Sequence, residues 1–278
     1  MLKSVLIGLD GSDDSRSVME LGLRWAKRFD ALAVGLGVVD EPGLFASGAS
    51  LFGGPHYWRT TPPTTLAYGE RRKVSEILED FVRCCGEAGV ESRTLEDVGS
   101  PFVQILMESQ RYDLVLLGQQ THFDYGSQGE PDETLSKVLQ DSPRPVVAVP
   151  RTLGAGESIV VAYDGSLQAA RALYAFEASG LAASQKVHVV AVSQDPKDAA
   201  RHADLAVDFL CLHGVEATSH PVATHLPIAE VILDQVRGFD AELLVMGAYG
   251  QPVVREFFLG SVTRTVLKAS LVPVFCYH

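Results

Sequence analysis

Along this chain, unbroken runs of Val, Leu and Ile alternate with stretches whose apolar residues recur every three or four positions. Ser4-Val5-Leu6-Ile7-Gly8-Leu9 ends in the polar turn Asp10-Gly11-Ser12, and Val18, Leu21, Gly22, Trp25 and Phe29 then share one helical face. Ser158-Ile159-Val160-Val161-Ala162-Tyr163 ends in Asp164-Gly165-Ser166 and again enters an amphipathic segment. Ser12 and Ser166 stand where the two helices need an N-cap. In the first half, further strands are expected at Leu32–Val39, Glu91–Glu96, Leu114–Leu117 and Val146–Val149, with helices near Glu70–Cys85, Pro101–Ser109 and Glu133–Asp141. In the second half, the strands fall at Val187–Ser193, Glu216–Val222, Leu243–Met246 and Val274–Tyr277. The helices there fall near Ala199–His213, Ile228–Val236 and Ser261–Ser270. Strands written as solid apolar runs and separated by helices imply a parallel sheet covered on both faces.

The pattern is written twice. Both copies open on a strand ending in Asp-Gly-Ser and close on a Pro-Val strand, Pro145-Val146-Val147-Ala148-Val149-Pro150 and Pro273-Val274-Phe275-Cys276-Tyr277. Such self-similarity marks a duplication. The fold class that follows is α/β: two tandem Rossmann-like domains, each a five-stranded parallel sheet with helices on both faces, over residues 1–150 and 157–278. A short linker, Arg151–Glu157, joins them through Gly154 and Gly156. The Asp-Gly-Ser copies lie 154 positions apart but the Pro-Val copies only 128, so the first copy carries 26 extra residues. These fall in Glu41–Gly69, rich in Gly, Pro, Ser and Thr, with Phe45, Phe52, Tyr57 and Trp58 interspersed. A loop of that length is a lid, a contact surface or a disordered segment, and its aromatics favour a packed flap.

The candidate chemistry sits after the apolar run Leu243-Leu244-Val245-Met246, in the skeleton Gly247-x2-Gly250-x9-Gly260-Ser261. Glycines let the backbone approach an anion, and a helix start offers unpaired N–H groups at a positive dipole end. Ser261 would cap that helix or donate its hydroxyl to a phosphate oxygen. A surface turn with a C-cap glycine is the plainer explanation of a lone Gly-x-x-Gly, but four fixed positions favour a phosphate cradle. Both Asp164 and Gly247 would end strands, so one crevice at the sheet's switch point receives both. The first copy departs from this pattern. Gly118-Gln119-Gln120-Thr121 keeps one glycine, and counting back from the Pro-Val strand puts Asp132 and Glu133 where Gly260 and Ser261 stand. Formal charge is +2 over Gly247–Ser270 and -4 over Gly118–Ser142. Carboxylates at a phosphate position repel a triphosphate.

The duplicated Asp-Gly-Ser start, the glycine motif and the closing Pro-Val strand resemble the universal stress protein family in its tandem two-domain form. The resemblance implies, in one branch, ATP held by that motif, and Asp164 could hold Mg2+ if the nucleotide brought one in. It also implies pairing of domains through their last strands, which here makes an intramolecular pseudo-dimer of Pro145–Pro150 with Pro273–Tyr277. Carried over by position, Asp164 faces the adenine with Ala162 and Tyr163 before it, and Val192 touches the base. Met246 and Gly247 stand beside the ribose, while Gly250, Gly260, Ser261, Val262 and Thr263 wrap the phosphates. Arg255 and Arg264 carry charge nearby, with a solvated surface role the simpler one for each. Asp10 and Val38 remain in the first copy, which then reads as a pseudo-site.

Composition narrows the partners. A net charge of -12 with no basic stripe argues against nucleic acid. No apolar run approaches a membrane span and no secretion signal is seen, so the expected compartment is cytoplasmic. Cys84, Cys85, Cys211 and Cys276 lack metal or redox spacing and read as buried reduced thiols. His202, His213, His220 and His225 show no metal-ligand spacing on one helix face, and His213 suits a helix C-terminus. There is no Gly-x-Ser-x-Gly elbow, no His-Glu-x-x-His and no Walker lysine, Gln251 standing where one would help. The leading expectation is a stress-response protein that binds ATP in its second domain as a regulatory ligand. The alternatives are a nucleotide-free dimerising scaffold and a slow ATPase; a homodimer of chains is also plausible on symmetry grounds.

Overall fold

The structure, a computed structural model, describes residues 1–40, 64–121, 123, 133–248 and 260–278. Two compact units divide the chain: Lys3–Pro143, and a second formed by Met1–Leu2 with Arg144–His278. In the first, strands β1 (Ser4–Gly8), β2 (Leu32–Val39), β3 (Ser92–Val98) and β4 (Leu114–Gly118) are ordered β3-β2-β1-β4, and all three pairings are parallel. Helices α1 (Asp13–Phe29), α2 (Thr64–Ala88), α3 (Pro101–Ser109) and α4 (Thr134–Asp141) connect them. The central strands β1 and β4 are buried almost throughout, as Val5-Leu6-Ile7 and Leu114-Val115-Leu116-Leu117 require. At the edge, β3 alternates half-buried and exposed positions, because only one of its faces is covered.

The second unit repeats the arrangement with β6 (Ser158–Ala162), β7 (Lys186–Ser193), β8 (Ala217–Ala223), β9 (Ala241–Gly247) and β10 (Val274–Tyr277). They are ordered β10-β9-β6-β7-β8 and every pair is parallel. Its helices are α5 (Leu167–Ser179), α6 (Pro196–Leu212), α7 (Ile228–Gly238) and α8 (Ser261–Ala269). Here α5 packs on β9 and β10, α6 on β7 and β8, and α8 on α7. Phe176 of α5 meets Phe275 of β10 edge to face, ring centroids 6.1 Å apart. Strand β5 (Val146–Val149) closes the first copy in sequence but belongs to the second compact unit in space. It pairs antiparallel with β10, Val146 opposite Cys276 and Ala148 opposite Val274.

Several local expectations change. Helix α2 begins at Thr64, inside the long Gly- and Pro-rich stretch, while residues 41–63 lie outside the described residues. Ser12 occupies the N-cap position of α1 without capping it; its hydroxyl donates to Asp10 Oδ1 at 2.6 Å instead. Ser166 does cap α5, accepting from the Ala169 N–H at 3.1 Å. Ser261 is the first residue of α8, and Gly260 holds the N-cap position. Of the cysteines, Cys85 and Cys276 are buried, Cys84 is half-buried and Cys211 is exposed on α6, so the buried reading fails at Cys211. Burial pushes the Cys276 thiol up to about 12. Among the described residues, no helix is long and apolar enough to cross a membrane.

His188 of β7 and His220 of β8 share a hydrogen bond, Nδ1 to Nε2 at 3.0 Å, and Phe239 stacks on His188 with centroids 4.1 Å apart. Burial holds both imidazoles below their ordinary pKa of 6.5, and for His188 the neighbouring ring and Lys186 add to the effect. The unfolded chain therefore binds protons more readily than the folded pair. The pair's share of stability is present above the ordinary histidine pKa and is lost as pH falls through the lower folded values. We expect the unfolding midpoint to drop by a few degrees from about pH 7.5 to about pH 5.5, with a smaller drop in His220→Phe. Equal drops in both proteins would assign the effect to other groups.

Candidate functional site

The sheet of the second unit changes direction at β6, which has β7 on one side and β9 on the other. In an open parallel sheet, ligands bind outside the carboxyl ends of the strands at such a reversal of order, here between β6 and β9. Ala162 pairs with Met246 across that point, and the Tyr163 N–H donates to the Val190 carbonyl at 2.9 Å. Asp164 is exposed just beyond the strand, its Oδ1 accepting from the Ser166 N–H at 3.0 Å. Tyr163 is half-buried, and burial, with Asp164 beside it, raises its phenol above the usual range. Val192, half-buried, ends β7 next to β6. Ala162, Tyr163, Asp164, Val192, Met246 and Gly247 thus gather at one edge.

Gly247 is there for lack of room. A Cβ on it would lie 2.5 Å from Ala169 N and 2.7 Å from the Gln168 carbonyl carbon, both backbone atoms of the first turn of α5. The chain after β9 returns to the sheet as β10, parallel to β9, so α8 starts at the same carboxyl end. Gly260 is exposed at its N-cap, and among the described residues a Cβ there would find nothing nearer than Thr263 Oγ1 at 4.0 Å. The first intrahelical bond runs from the Arg264 N–H to the Gly260 carbonyl. Amides of Ser261, Val262 and Thr263 precede that bond, at the positive end of the helix dipole. Ser261 is exposed, Val262 half-buried and Thr263 buried, so the Ser261 hydroxyl is the accessible one. Gly250 and Arg255 lie outside the described residues.

The first unit builds the same corner and closes it. Asp10 is buried, and its Oδ1 accepts from the Ser12 N–H, the Ser12 hydroxyl and the Ser15 hydroxyl. Asp14, also buried, presents Oδ2 to the Gln120 N–H at 2.9 Å. Its side chain leaves no space for a Cβ on Gly118, which would sit 2.7 Å from Asp14 Cβ. A carboxylate of the chain itself thus occupies an amide of the turn after β4. Sequence reasoning passed over Asp14, although aligning the two Asp-Gly-Ser turns sets it against the neutral Gln168. Val38 is buried in β2. Glu133 precedes α4 and pairs with Lys137 on the surface, while Asp132 is outside the described residues.

Comparison with known proteins agrees with this fold. The sequence pattern of the universal stress protein family matches residues 157–278. The chain is 25% identical over 219 residues to the universal stress protein Slr1230 of Synechocystis sp., covering 77% of this chain and 75% of that protein. Its fold is similar to the crystal structure of a universal stress protein from Archaeoglobus fulgidus DSM 4304, with a TM-score of 0.71 and 23% identity over 99% of this chain and 97% of the other. A functionally unknown protein of Pseudomonas aeruginosa PAO1, PA1789, matches over 99% of this chain and 92% of its own with a TM-score of 0.61 and 17% identity. Residues 157–278 thus carry the pattern of the universal stress protein family, and the chain as a whole shares the fold of its solved members.

Proposed function

We propose that the second unit binds ATP as a regulatory ligand, within a cytoplasmic stress-response role. The observation that carries this reading is the start of α8, where Gly260, exposed among the described residues, and the amides of Ser261–Thr263 stand at the carboxyl end of the sheet. Short side chains, free N–H groups and the dipole of a nine-residue helix suit a polyphosphate. Asp164, exposed at the end of β6, supplies an acceptor for the exocyclic amine of adenine, and half-buried Val192 offers apolar surface for the ring. The first unit has its equivalent carboxylate buried and its turn amide taken by Asp14, which supports a single site per chain.

Binding to the folded state alone raises stability by about 2.7 kcal/mol at a hundred times the Kd. The unfolding midpoint should therefore rise by several degrees with Mg-ATP at millimolar concentration. Heat-denatured protein should also release adenine nucleotide if it was purified loaded. No shift together with no released nucleotide would remove the proposal and leave the nucleotide-free scaffold. Steady phosphate release that vanishes in Ser261→Ala would instead make ATP a substrate.

A further inference from the structure

Gly165, between Asp164 and the capping Ser166, has φ +76, in the region that favours glycine. It is also pressed from outside the turn. A Cβ on Gly165 would lie 2.7 Å from both Cδ2 and Nε2 of His202, so the imidazole of α6 rests on the turn that carries Asp164. His202 is half-buried. Its orientation is fixed from the side: Arg201 Nη2 lies 3.0 Å from His202 Nε2. A guanidinium has no acceptor, so Arg201 donates and Nε2 accepts. The exposed Asp164 carboxylate and a braced aromatic ring thus flank the same glycine. A flat ring to stack on and an acceptor for an amino group are what a nucleobase requires. In the first unit the matching carboxylate is buried and held by Ser12 and Ser15.

We propose that His202 is the stacking wall of the base subsite, which it forms with Asp164 as the amino-group acceptor. The proposal rests on the nucleotide reading above, and it assigns His202 to the base and leaves the phosphates to the start of α8. Binding of ATP and of inorganic tripolyphosphate, which has no base, separates the two parts. Stacking of one base on an aromatic side chain predicts that His202→Ala weakens ATP binding about tenfold or more. Tripolyphosphate affinity should not change, and His202→Phe, which keeps a ring on Gly165, should bind ATP within about threefold of the wild type. ATP affinity unaltered in His202→Ala would overturn the proposal while the nucleotide reading stood. Equal losses of ATP and tripolyphosphate would overturn it too, by showing that the ring only shapes the fold. A wild-type protein that binds tripolyphosphate as tightly as ATP has no base subsite, and one that binds neither has no nucleotide site.

Discussion

Gly247→Ala is expected to destabilise the second unit by about 3 kcal/mol, and to lower its unfolding midpoint accordingly. The added methyl meets Ala169 N at 2.5 Å, the Gln168 carbonyl carbon at 2.7 Å and Ala169 Cα at 2.9 Å. Side chains at such distances rotate away, but these are backbone atoms in the first turn of a helix. The turn is further pinned by the Ser166 cap, so relief requires the whole of α5 to move off β9 and β10. That contact also includes Phe176 against Phe275, and loosening it opens the core. Gly260→Ala is the matched control, because among the described residues its methyl meets nothing nearer than Thr263 Oγ1 at 4.0 Å, and it should change stability by no more than about 0.5 kcal/mol. Thermal unfolding of the two variants beside the wild type checks the contrast, and equal midpoints would refute the packing argument.

Gly260→Asp should lower ATP affinity on the order of a hundredfold while leaving the unfolding midpoint unchanged or slightly higher. The two effects have opposite signs for one reason. At φ -51 and ψ 140, residue 260 has backbone angles that any side chain adopts, and aspartate at an N-cap satisfies first-turn amides and complements the helix dipole. A carboxylate that takes those amides leaves them unavailable to a phosphate and adds repulsion against it. Calorimetric titration with ATP, paired with a melt in the absence of nucleotide, reads both. Unchanged ATP affinity would mean that the start of α8 does not hold the phosphates.

The order of elements was legible because buried parallel strands are written as uninterrupted Val, Leu and Ile. The runs at Leu32–Val39, Val146–Val149 and Val274–Tyr277 match β2, β5 and β10 residue for residue. Edge strands were harder to bound. In β3 and β8 polar residues alternate with apolar ones, and their ends shift by one or two positions. The start of α2 at Thr64 was hidden because Thr64–Gly69 is not the composition of a strong helix former. At the candidate site, glycine spacing points to the backbone approach at Gly247, since a missing side chain leaves its mark in the sequence. What escaped was the use made of polar side chains by residues distant in the chain. Asp14 reaches Gln120 and His202 reaches Gly165, and neither spacing carries a local period. Ser12 shows the same limit, since Asp10 competes for its hydroxyl.

The antiparallel seam of β5 on β10 has a consequence for how this protein is made. Strand β5 is synthesised before β6, β7, β8 and β9, and its antiparallel partner β10 after them. During translation the edge of Val146-Val147-Ala148-Val149 that later pairs with β10 waits with bare amides and carbonyls while four parallel strands assemble downstream. Ring closure over so long a span is slow relative to local helix formation. That edge is therefore open to chaperones and proteases until β10 is made.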